Sequence, residues 1–176
     1  MPTYKHSFKN AIADKKFISK DFNLTNWLSL AKSNNDNLFD LIEKLVSIET
    51  PTRDKAANDQ ISSFTANLMR SIGGEVTVHS ETEFGDHIAI NWPAPDGNNG
   101  KQHALVVGHL DTVWPRGTLE QMGYSEKEGR LYGPGVLDMK AGIATTIVGL
   151  QTLKHNNLWP DRPLTCLLYT SPSPRD

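Results

Sequence analysis

Two short segments of this 176-residue chain hold the residue types that can bind and use a cation. The first, Gly108-His109-Leu110-Asp111-Thr112-Val113, follows the apolar run 104–107, which reads as a buried strand with His109 at its exposed end. Residues two apart on a strand share a face, so His109 and Asp111 point the same way. The second, Gly133-Pro134-Gly135-Val136-Leu137-Asp138-Met139-Lys140, is a turn that opens a helix-like stretch at Asp138. One imidazole and two carboxylates, where a strand ends and a helix begins, suggest a metal site. Open α/β sheets bind ligands just there, beyond the carboxyl ends of their strands.

The chemistry assigns a role to each group. His109 offers a ring nitrogen as a ligand, and Asp138 has two oxygens with which to bridge two ions. Asp111 is better placed behind the imidazole, accepting from its other nitrogen and fixing its tautomer. Plainer readings stand beside these. His109 can be an ordinary polar strand end, Asp111-Thr112 a turn closed by local hydrogen bonds, Asp138 a helix cap and Lys140 a solvated charge. The Gly-Pro-Gly is no phosphate loop, because no Gly-Lys-Ser/Thr follows it. His79, His87, His103 and His155 have no partner at ligand spacing and read as surface or strand residues.

The elements that must position these groups follow from periodicity. Residues 1–33 read as an extension with one short helix at most. A helix capped by Asn35 or Asp36 carries Leu38, Leu41, Ile42, Leu45 and Val46 on one face and ends before Pro51. A second helix spans about 54–71 and stops at Gly73-Gly74. Strands are expected at 75–79, 87–92, 103–108 and 164–169, with a hairpin arm at 124–132 and a helix at 138–154. The tail from 169 to 176, with its Ser-Pro-Ser-Pro, reads as non-native sequence or a truncation scar. The domain expectation is thus an extension 1–33, a partial catalytic domain 34–168 and a tail 169–176.

Composition bounds the function. Hydrophobic residues make up 38% and charged residues 22%, which suits a soluble globular domain. A net charge of −2 gives no basic stripe for nucleic acid. The single Cys166 excludes an internal disulfide framework and a Cys-rich zinc module. No apolar run is long enough for a membrane span, and no secretory leader is seen, so a cytoplasmic location is the default expectation.

Taken together, Gly-His-Leu-Asp-Thr-Val and Gly-Pro-Gly-Val-Leu-Asp-Met-Lys-Ala-Gly resemble the M20 metallopeptidases over roughly 38–165. That family includes glutamate carboxypeptidases, acetylornithine deacetylase and succinyl-diaminopimelate desuccinylase. Trp114-Pro115-Arg116-Gly117 looks closest to the glutamate carboxypeptidase-like branch. The resemblance implies an α/β three-layer sandwich with a central, mostly parallel sheet flanked by helices. It also implies two Zn²⁺ ions, with Co²⁺ as an activating substitute, and cleavage of a peptide or N-acyl bond beside a free carboxylate. The substrate would be a small peptide or N-acyl amino acid, and the complete protein a homodimer with no nucleic-acid or membrane partner. His109 matches the first histidine ligand and Asp138 the bridging aspartate, often followed by a cis peptide bond. Asp111 matches the acidic catalytic residue that orients the histidine.

The match then breaks. Where the family carries two adjacent glutamates, base and ligand, this sequence runs from Leu164-Thr165-Cys166-Leu167-Leu168 into Tyr169-Thr170-Ser171-Pro172. The later acidic ligand, the distal histidine and the small dimerisation or lid domain have no counterpart either. The expectation is a catalytically dead fragment of a metallopeptidase, poorly soluble because strand 164–169 would lack partners and leave an apolar face bare. A non-catalytic binding or scaffolding module reusing the fold is the competing reading. An aspartic protease is a poor third, since Val113 stands where Asp-Thr needs a glycine.

Overall fold

The computed structural model describes residues 24–95, 97, 100 and 102–170. They fall into two compact units, one ending at Ser33 and the other beginning at Asn34. In the first, helix α1 (Leu24–Lys32) is the short helix expected in the extension, and Lys32 lies in its last turn.

In the second unit, α2 (Asn35–Ser47) and α3 (Lys55–Ser71) follow the apolar spacing closely. The cap of α2 differs from expectation. Asn35 and Asp36 lie inside the helix, and Asn34 precedes it without a side-chain cap bond. Asp54 caps α3 by accepting from the Ala57 N–H, satisfying one of the orphan donors of the first turn. The helix stops as Gly73 takes a φ of +88°, a conformation that a side chain disfavours.

The sheet contains β1 (Glu75–His79), β2 (His87–Trp92), β3 (Ala104–His109) and β6 (Leu164–Tyr169), in the order β1-β2-β6-β3. The α/β class holds, but the expected mostly parallel sheet does not. β1/β2 and β2/β6 are antiparallel, and only β3/β6 is parallel. Alternation within a strand reveals which residues face the core, but strand direction depends on partners far away in sequence. Between β3 and β6 lie α4 (Thr118–Met122), a small hairpin of β4 (Ser125–Lys127) and β5 (Arg130–Tyr132), a π-helical stretch Val136–Lys140 and α5 (Ala141–His155).

One sheet face buries Ile88, Ile90, Trp92, Leu164, Cys166 and Leu168 in a single cluster with Leu45, Val46, Ile61, Met69, Ile143 and Ile147 from the helices. Two expectations about the strands are corrected. β6 is not left without partners, being paired on both sides. β3, read as fully buried, is instead an edge strand whose Leu105 and Val107 are 63% and 48% exposed. Tyr169 closes β6 and Thr170 is buried, so these two residues of the expected tail belong to the fold. Residues 171–176 lie outside the described residues.

Candidate metal centre

His109 is the last residue of β3, and Leu110 continues the parallel ladder by donating its N–H to Tyr169 O at 2.9 Å. The imidazole therefore stands at the carboxyl end of the parallel pair. Asp138 reaches it from the π-helical stretch, where Asp138 and Met139 have non-helical backbone angles and are joined by a cis peptide bond. Asp138 is thus not the cap of α5, which begins three residues later. Gly135 makes the approach possible. Its φ is +73°, and a Cβ there would lie 2.4 Å from Thr112 Cγ2, so only glycine lets the turn pack against the Asp111-Thr112 loop.

The three sequence-selected residues meet. His109 Nε2 lies 2.9 Å from Asp138 Oδ1, and Nδ1 lies 3.0 Å from Asp111 O and 3.3 Å from Asp111 Oδ1. Only acceptors face Nδ1 in these contacts, so it carries the proton and donates to Asp111. Nε2 is the nitrogen left to address a cation. The Asp111 carboxylate, reinforced by Asp138 and opposed by burial, pushes the imidazole pKa up to about 9. Without a metal, a proton on Nε2 holds the position between ring and carboxylate that a cation would take. Asp111 is 3% exposed, whereas the Asp138 side chain is 82% exposed. The first is built into the fold and the second is presented to whatever occupies the cleft.

That cleft, about 510 Å³, is lined by Thr52, His109, Asp111 and Asp138, with exposed Val113, Trp114 and Leu137 beside them. An imidazole nitrogen and a carboxylate oxygen converging on its open side are the donor types that zinc prefers. They fit two positions of a coordination shell that needs about four. Among the described residues, no group of three or more His, Cys, Asp or Glu is placed to hold a metal ion.

Sequence reasoning missed the residues that hold this arrangement in place. The linker between α2 and α3 braces both motifs. Thr112 N–H donates to Thr50 O at 2.7 Å, and Thr52 N–H donates to Thr112 O at 3.1 Å. The Thr52 hydroxyl donates to Asp111 Oδ2 at 2.6 Å. The Glu49 carboxylate accepts from Leu119 and Gly117 N–H at 2.8 and 2.9 Å, and these bonds hold its pKa below the usual carboxylate value. Arg116 Nε donates to Asp54 at 3.0 Å, fixing the Trp114–Gly117 segment from the other side. Lys140, for which a solvated charge was one reading, is 1% exposed and donates to Ile48 O at 2.5 Å. Burial pushes its ammonium pKa down to about 8. The sequence signal was Thr-Pro-Thr shortly after a helix that ends at Ser47, small hydroxyl residues at a proline-stiffened turn. Nothing in it indicated contact with residues sixty positions away.

Residues 105–171 match the model described as Peptidase family M20/M25/M40. The chain is 30% identical over 131 residues to carboxypeptidase G2 of Pseudomonas sp. (strain RS-16), covering 73% of this chain and 31% of that protein. It is 29% identical over 126 residues to succinyl-diaminopimelate desuccinylase of Orientia tsutsugamushi (strain Boryong), covering 68% and 30% respectively. The chain thus spans about a third of the length of the curated relatives it matches. Among solved structures, human carnosine dipeptidase 1 shares the fold, with a TM-score of 0.70 and 14% identity over 81% of this chain and 33% of that one.

Proposed function

We propose that the chain is part of a hydrolase of the peptidase M20/M25/M40 family, whose model its residues 105–171 match, and that His109 and Asp138 are metal ligands of that hydrolase. The whole protein would cleave a peptide or N-acyl amide bond beside a free carboxylate, in a small peptide or an N-acyl amino acid. Zinc is the proposed ion. The observation that carries this reading is the convergence of His109 Nε2 and Asp138 Oδ1 at 2.9 Å, with Nδ1 engaged by Asp111.

The residues divide the work. Asp111 holds the ring and, by accepting from Nδ1–H, makes Nε2 a better donor of its lone pair. Asp138 brings negative charge to the same point, with a second oxygen for a neighbouring ion. A bound divalent cation supplies Lewis-acid polarisation of the scissile carbonyl. Trp114, Val113 and Leu137 present apolar surface to the substrate beside the polar centre. The described residues supply two of the ligands and no general base, so this stretch alone is proposed to take up a cation without turning substrate over. The remaining ligands and the base would come from outside them.

The test uses the whole protein. Release of free amino acid from N-acyl amino acids and carboxylate-ended peptides should stop on chelation and return with added Zn²⁺. His109→Ala and Asp138→Ala should each abolish turnover. Retained turnover in either variant rejects the ligand assignment.

A further inference from the structure

The Asp111 carboxylate is held from two sides. Oδ1 faces His109 Nδ1 at 3.3 Å, while Oδ2 accepts the Thr52 hydroxyl proton at 2.6 Å, both residues being buried. That hydroxyl has one proton and two acceptors in reach, the carboxylate and Thr112 O at 3.3 Å. The shorter contact to an ionised acceptor takes it, because such bonds are roughly twice as strong as neutral ones. Thr52 has little freedom to do otherwise. Its N–H is bonded to Thr112 O, Pro51 bridges Thr112, and a β-branched side chain is stiff about χ1.

We propose that Thr52 is a positioning residue of the metal centre, fixing the Asp111 carboxylate so that the His109 ring presents Nε2 to the cation. The proposal rests on the reading of His109 as a ligand and extends it to a residue 57 positions earlier that touches neither the ion nor its ligands. A carboxylate turns easily about its terminal torsion, which is broad and two-fold. With Oδ2 tied to Thr52, Oδ1 stays aimed at Nδ1. The ring is then held at one edge by Asp111 and free at the other to face Asp138. Without the hydroxyl, the carboxylate turns to other donors and the ring keeps only the Asp111 backbone carbonyl, 3.0 Å from Nδ1, at that edge. The function belongs to the hydroxyl and not to the shape of the side chain, so serine preserves it and valine does not.

The test compares the parent chain with Thr52→Val, Thr52→Ser and His109→Ala, using two readouts. In the metal-free chain, the His109 Nδ1–H proton should give a slowly exchanging NMR resonance in the parent and in Thr52→Ser. In Thr52→Val it should broaden or vanish. Cobalt titration followed by visible absorption should show Co²⁺ affinity weakened about 10–100-fold in Thr52→Val, as for other groups hydrogen-bonded behind a ligand, and near the parent value in Thr52→Ser. A parent-like ring resonance and Co²⁺ affinity in Thr52→Val would overturn the proposal. So would loss of both in Thr52→Ser, since the hydroxyl would then not be the working group. Equal Co²⁺ affinity in the parent and His109→Ala would remove the ligand reading itself, and the ring resonance tells that failure apart from a failure of the Thr52–Asp111 tie.

Discussion

Replacing Gly135 with alanine should disrupt the turn that brings Asp138 to His109, and the structure allows the cost to be divided. Gly135 has a φ of +73°, and an added Cβ would stand 2.4 Å from Thr112 Cγ2. Thr112 cannot retreat easily, being tied to Thr50 and Thr52 through its backbone. The left-handed conformation costs an alanine about 1–2 kcal/mol. Forcing a methyl against a fixed neighbour adds about 1–3 kcal/mol. Together Gly135→Ala should destabilise the chain by about 2–5 kcal/mol. Gly129, in the β4–β5 turn, provides the control, since its φ is +70° and a Cβ would meet nothing within 4 Å. Gly129→Ala should therefore cost only the conformational part, about 1–2 kcal/mol. Urea unfolding of both variants, extrapolated to water, measures the difference, and Co²⁺ titration should weaken in Gly135→Ala alone. If the two variants unfold within about 0.5 kcal/mol of each other, the size of ordinary surface substitutions, the close approach of Gly135 to Thr112 does not hold the motif together.

Acidification should weaken the fold through three paired carboxylates. Asp86 is held below its usual pKa by Lys55, whose ammonium is 2.7 Å away, Asp54 by Arg116, and Glu49 by the Leu119 and Gly117 N–H groups. A pKa lower in the folded than in the unfolded chain means that the unfolded chain binds more protons, so stability is present above about pH 4 and lost as pH falls through the depressed values. Asp86→Asn should make that loss shallower in urea titrations between pH 5 and about 2, and an unchanged slope would refute the assignment. The exposed face of β3 predicts self-association. Val107→Lys should lower concentration-dependent light scattering with the unfolding midpoint shifted by no more than about 0.5 kcal/mol, because an edge lysine blocks strand-to-strand pairing. Scattering unchanged by the substitution would place the association elsewhere.

The parts of the fold readable in advance were those governed by local pattern. The alternation at 75–79 and 87–92 and the apolar stripes of α2 and α3 each depend on a few consecutive side chains, and the observed bounds match. What escaped was set by partners distant in sequence. Nothing within Ala104–His109 distinguishes a central strand from an edge strand, because Leu105 and Val107 are apolar in either case. The helical spacing of Met139 to Lys154 predicts a helix opening at Asp138, while the turn before it follows the contact between Gly135 and Thr112. Within the site, His109, Asp111 and Asp138 were legible from residue type and spacing. Thr52, Glu49 and Lys140 were not, since threonine, glutamate and lysine near a helix end usually face water. Here the linker lies under both motifs and draws them inward.

That linker also explains how a geometry needed for cation binding can exist before any cation arrives. Bringing an imidazole and a carboxylate together costs conformational entropy and sets charges close to one another. A site assembled only by its ion would have to offset both from the binding energy. In this chain the segment from Ile48 to Asp54 meets that cost through the fold. Ile48 O takes the Lys140 ammonium, Glu49 the α4 N-terminus, Thr50 and Thr52 the Leu110–Thr112 loop, and Asp54 the Arg116 guanidinium. Each bond joins the linker to one of the loops around the cleft, so the loops are fixed relative to a common strip of backbone. His109 and Asp138 then approach to 2.9 Å as a consequence of folding. The strip is seven residues long and is anchored at both ends by helices whose apolar faces lie in the core. Disturbing that core should therefore loosen the candidate metal centre before it unfolds the chain, because the linker ties the loops to the two helices whose apolar faces lie in it.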